Sequence, residues 1–108
     1  MSDTRSVTLW ARDNLNVGAE VLPDGSLVIT GQDLRADHLF GPGAGEYEYA
    51  LTILPEDVRR VVIALGGEDG DDVLALLAAH GDDVVSAGEM SWLRGIGIEP
   101  LFWSHIGG

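Results

Sequence analysis

The chain contains no cysteine and no lysine. Without cysteine there is no disulfide, no thiolate nucleophile, no cysteine-ligated zinc and no iron–sulfur cluster. Without lysine there is no Schiff-base chemistry and no P-loop. Positive charge is scarce as well: all six bases are arginine, against 18 acids, for a net charge of -12. Such a field repels phosphate, which argues against direct binding to nucleic acid or to an anionic membrane surface. No apolar run approaches the ~20 residues of a membrane span. The start, Met1-Ser2-Asp3-Thr4-Arg5, lacks the basic-then-apolar order of a signal peptide. The expectation is a cytoplasmic protein.

What is present is enough for a packed core. The 108 residues are 45 % hydrophobic and 22 % charged, and no linker, repeat or low-complexity tract divides them. One domain, 1–108, is expected. Residues 7–12 alternate Val7, Leu9, Ala11 against Thr8, Trp10, Arg12, as a strand does. Asp13-Asn14 signals a turn. Residues 16–22 and 26–31 flank Pro23-Asp24-Gly25 and predict a hairpin, because proline presets φ and glycine accepts φ > 0. Residues 32–45 predict a loop. Residues 46–53 put Tyr47, Tyr49, Leu51 and Ile53 on one face and Glu46, Glu48, Ala50 and Thr52 on the other.

The period then becomes helical. Pro55, Glu56 and Asp57 suit a first turn, and Val58, Val61, Val62 and Leu65 form a stripe that Gly66 ends. A second helix starts near Asp71-Asp72 and runs to His80, apolar around most of its circumference, with Gly81 as its stop. A third begins at Ser86, where Ser86 and Glu89 have capping-box spacing. Residues 98–106 predict a last strand. The order β-β-β-β-α-α-α-β implies an α+β fold, a mostly antiparallel sheet of about five strands with helices packed on one face.

Two segments, Asp71–Ala78 and Gly97–Ser104, together with Glu46-Tyr47-Glu48-Tyr49 and Leu9–Asp13, carry a resemblance to a group of small acidic single-domain proteins from actinobacteria. The resemblance spans most of the chain and brings no assigned activity and no site residue. By type alone, a small acidic domain is similar to immunity and antitoxin proteins.

His38, His80 and His105 lack ligand spacing, so no metal site and no cofactor are expected. The run Glu68-Asp69-Gly70-Asp71-Asp72 does not fit a calcium loop, since Leu76 and Leu77 fall where ligands are required. Gly41-Pro42-Gly43-Ala44-Gly45 precedes a strand, whereas phosphate cradles precede a helix. Ser104 and His105 are adjacent on a strand and face opposite ways. Glu46 and Glu48, about 7 Å apart along a strand, read as a solvated face.

Charge and aromatics remain. Glu68, Asp69, Asp71, Asp72, Asp82 and Asp83 lie within 16 residues that hold no arginine and carry half of the net charge. Helix capping and solubility explain such a segment; docking of a basic protein also would. Phe102 and Trp103 are consecutive on a strand, and Trp10 follows Leu9, so one of each pair is expected on a helix-free face. The expected function is a non-enzymatic protein–protein binding domain, in its most specific form an immunity- or antitoxin-type inhibitor of a basic partner. Its partner-binding residues would be those six acids with Trp10 and Trp103. A homodimer through the aromatic face is a further expectation. The alternatives are a ligand binder or enzyme using the 38–45 loop, and an acidic mimic of nucleic acid.

Overall fold

The computed structural model describes residues 5–12, 14–34 and 45–107. Five strands form one antiparallel sheet: β1 (Arg5–Arg12), β2 (Leu15–Val21), β3 (Leu27–Asp33), β4 (Glu46–Ile53) and β5 (Leu101–Gly107), in spatial order β1-β2-β3-β4-β5. Four helices lie between β4 and β5: α1 (Pro55–Ala64), α2 (Val73–Ala79), α3 (Gly81–Ala87) and α4 (Glu89–Gly95). The fold is α+β, with the helices on one sheet face. The last strand returns beside β4 and forms an edge.

The expected hairpin joins β2 to β3. Gly25 has φ 93°, Leu22 N–H donates to the Ser26 carbonyl at 2.9 Å, and Asp24 Oδ1 accepts from Ser26 N–H at 2.9 Å. That bond holds the Asp24 carboxyl below its ordinary range. β3 extends through Gln32 and Asp33, so the connection to β4 is shorter than the 32–45 loop expected. Most of that loop, including His38 and Gly41–Ala44, lies outside the described residues.

Register follows the alternation of side chains. The row Ala19, Ile29, Leu51 and Phe102 faces the helices, as does the row Val21, Leu27 and Ile53. Leu27, Ile29, Leu51 and Ile53 meet Val61, Leu74, Leu77, Val84 and Leu93 in one core. Each such fully buried side chain contributes about 1.5–3 kcal/mol.

Three local expectations are corrected. First, β1 does not alternate throughout. A bulge between Thr8 and Trp10 shifts the register, so Leu9 is buried while Trp10 also packs on the core side, opposite Val17. Trp10 is therefore not on the helix-free face. Second, Gly81 does not end the helical region. It opens α3, because that helix crosses Leu9 so closely that a Cβ at position 81 would stand 2.4 Å from the Leu9 carbonyl oxygen. Third, Ser86 does not cap α4. It lies inside α3, and Gly88 at φ 85° separates the two helices, so the described segment between β4 and β5 holds four helices where three were expected. In α2 only Val73, Leu74 and Leu77 are buried; its alanines face solvent, so its apolar circumference is not wholly covered.

Candidate functional site

The six acids of the 68–83 segment sit over the β1 side of the sheet, where α2 and α3 pack on β1. Local partners engage most of them. Asp72 is the N-cap of α2: its Oδ1 accepts from Leu74 N–H at 3.0 Å, and Arg5 pairs with its other oxygen. Desolvation works against ionisation of Asp72, but the Arg5 and Leu74 hydrogen bonds outweigh it and lower the carboxyl below its ordinary range. Asp71 accepts from Glu68 N–H at 2.8 Å. Looser pairs join Asp82 to Arg12 at 3.5 Å, Asp83 to His80 at 3.8 Å and Asp69 to Arg59 at 4.0 Å. Such solvent-exposed pairs are worth little, so Asp69, Asp82 and Asp83 remain available to an incoming cation.

The two tryptophans of the expected site are separated. Trp10 lies on β1, near the acids. Its ring packs against the core, Arg12 stacks on it at 3.8 Å from the ring centroid, and its Nε1–H finds no acceptor among the described residues. Trp103 lies on β5, at the opposite edge. The structure therefore does not gather the eight residues into one surface. It places the acids with Trp10 at one edge and Trp103 at the other.

The β5 edge has an environment of its own. Leu101, Phe102 and Trp103 are 62 %, 54 % and 55 % exposed, and Ile106 is 48 % exposed. Residues 101–107 carry no Asp, Glu or Arg. On the helix-free face, Trp103 borders a shallow trough of about 430 Å³ floored by Gly18, Thr30 and Ala50 and flanked by Gln32 and Glu48. His105 stacks on Trp103 at 6.2 Å between centroids. Gln32 Nε2 donates to Glu46 Oε2 at 3.2 Å. A hydrogen bond shared with Glu46 raises the Glu48 carboxyl above its ordinary range, aided by desolvation and the Glu46 charge, while His105 opposes the shift.

On the helix side of the same edge is a feature that sequence reasoning missed. Tyr47, Tyr49, Leu51, Glu89, Met90 and Phe102 line a cleft of about 250 Å³. Glu89 is only 8 % exposed, and its carboxylate accepts the Tyr49 hydroxyl. Tyr49 fits there because Gly31 faces it across the sheet; a Cβ at position 31 would stand 2.1 Å from the phenol ring. Burial, then the hydrogen bond to Glu89, push the Tyr49 phenol far up and keep it the donor. Glu89 looked like the closing member of a capping box. The signal that could have redirected it was Gly88, which suits a helix boundary at 88 and frees Glu89 from capping.

Among the described residues, no three His, Asp or Glu side chains converge as metal ligands, and no helix is long and apolar enough to cross a membrane. The 38–45 ligand-site alternative rests largely on residues outside those described. No family model, curated protein or solved structure matches the chain.

Proposed function

We propose that the chain is a non-enzymatic binding domain for a basic protein, acting as an inhibitor of the immunity or antitoxin type. The observation that carries this reading is β5, an edge strand of the described sheet with four large apolar side chains 48–62 % exposed, on a molecule of charge -12. Edge strands are ordinarily shielded by charge, proline or a bulge; β1 has the bulge and two arginines, and β5 has neither. Exposed Trp and Phe suit the centre of an interface. The distant acids act through the long-range field, which speeds encounter more than it tightens contact, so that both weaken with salt. Asp69, Asp82 and Asp83 serve that role, since Asp71 is engaged by Glu68 N–H in the turn before α2 and Asp72 caps α2.

The test is affinity capture from the host lysate, with wild-type and Trp103→Ala baits washed at low and high salt. A single stoichiometric basic protein, released by salt and absent from the Trp103→Ala bait, is expected. An empty bait, or a partner indifferent to Trp103, overturns the reading.

A second reading has a specific observation behind it. Because residues 101–107 are uncharged, β5 is where two copies of this acidic chain can approach. Antiparallel pairing about Ser104 would set Phe102 of one copy against Ile106 of the other. Capture of copies of the chain alone would favour this dimer over the inhibitor. The nucleic-acid mimic shares the electrostatics and differs in that a duplex would compete for the captured partner.

A further inference from the structure

We propose that the cleft between β4, β5 and α4 is a binding site for an organic ammonium group, with Glu89 as its counter-ion and Tyr47, Tyr49 and Phe102 as its aromatic wall. The first ground is an imbalance of charge. Glu89 is a carboxylate that is only 8 % exposed, and among the described residues its one hydrogen bond is from the neutral Tyr49 hydroxyl. Burying such a group without a cation is costly. The five described arginines cannot supply one: Arg5 pairs with Asp72, Arg12 with Asp82, Arg59 with Asp69, Arg60 with Asp57 and Arg94 with Glu99.

The second ground is the wall. Tyr47 and Tyr49 lie 5.8 Å apart at an interplanar angle of 33°, and Phe102 enters the same cleft from β5 with its ring 54 % exposed. Aromatic faces attract cations, and several rings around one site recognise alkylated ammonium groups that hydrogen bonds alone hold poorly. The cleft's volume, about 250 Å³, suits a head group rather than a large ligand. A carboxylate at its base adds a partner for any N–H the head group retains, as a dimethylated amine does. Metal ions are a poor match, since one carboxylate and thioether or phenol neighbours do not make an oxygen shell.

The inference does not depend on the inhibitor reading, although a partner's lysine side chain is one source of such a group. Small cations test it directly. Choline, Nα-acetyl-dimethyllysine amide and the uncharged carbon isostere of choline are titrated into the intact chain, following the ring protons of Tyr47, Tyr49 and Phe102 and the Met90 methyl by NMR. Both cations are expected to shift these resonances saturably, and the isostere to bind at least about tenfold more weakly. Tighter binding of dimethyllysine points to a protein side chain as the source; tighter binding of choline points to a free small molecule. Either supports the site. Glu89→Gln keeps an acceptor for Tyr49 and removes the charge, and is expected to weaken choline by about tenfold. Phe102→Ala removes a ring from a residue that is 54 % exposed, and is expected to weaken both cations. The proposal fails if the isostere binds as well as choline, if no probe shifts the cleft resonances, or if Phe102→Ala leaves affinity unchanged.

Discussion

At the scale of single residues, two glycines decide where the larger groups go. Gly31 leaves the room that Tyr49 occupies, and Gly81 lets α3 lie directly on the Leu9 backbone. The two differ in how a neighbour can yield. A Cβ at position 31 meets the far end of a side chain, whereas at position 81 it meets the Leu9 carbonyl oxygen at 2.4 Å and its Cα at 3.0 Å. Backbone at a bulge cannot retreat without disturbing the ladder. Gly81→Ala is therefore expected to destabilise by about 1–3 kcal/mol, although alanine favours a helix intrinsically. Urea unfolding measures it, and a neutral or stabilising effect would mean that α3 is not seated on β1 as described.

At the scale of elements, Asp72 shows a local signal that tertiary structure uses twice, as cap and as ion partner. Asp72→Ala is expected to cost about 1 kcal/mol, mostly the lost cap, because the Arg5 pair is solvent-screened. Its pH dependence has a definite sign. The folded carboxyl is held below its ordinary value of 3.8, so its contribution is complete above that pH and is lost as pH falls through the lower folded value. Unfolding of wild type and Asp72→Ala compared at neutral and acid pH should show the deficit shrinking in acid. A deficit that does not change with pH would assign the loss to packing instead.

The same scale shows what the sequence made legible. Pro23-Asp24-Gly25 holds its turn in its own residues, and the period-2 pattern of 46–53 sorts both faces of β4 correctly, since these signals are local. The Val58–Leu65 stripe likewise matches α1. The division of 81–95 into two helices was not legible, because a glycine that stops one helix and a glycine that lets the next approach a strand look alike in sequence. The bulge at Leu9 was hidden for a related reason: alternation persists in the letters while the backbone slips by one. The candidate site suffered most. Acids close in sequence stayed together, but Trp10 and Trp103 went to opposite edges, and the Glu89 cleft needs three elements to meet.

At the scale of the whole molecule, the charge of -12 acts on folding and on binding with opposite salt dependence. Compacting so many carboxylates costs free energy through self-repulsion. Raising salt from about 0.01 M to about 1 M shortens the Debye length from about 30 Å to about 3 Å and removes most of that cost. The exposed arginine pairs weaken too, but pairs such as Arg12–Asp82 at 3.5 Å and Arg59–Asp69 at 4.0 Å have little to lose. The melting temperature is therefore expected to rise with sodium chloride, by about 4–8 °C for each 1 kcal/mol of repulsion relieved in a domain of this size. Calorimetry across that salt range checks it. Neutralising Asp69, Asp82 and Asp83 to asparagine should shrink the rise, since they belong to the densest part of the charge. A melting temperature that falls with salt would show the arginine pairs outweighing the repulsion. The field would then be too well compensated internally to draw a basic partner in from solution.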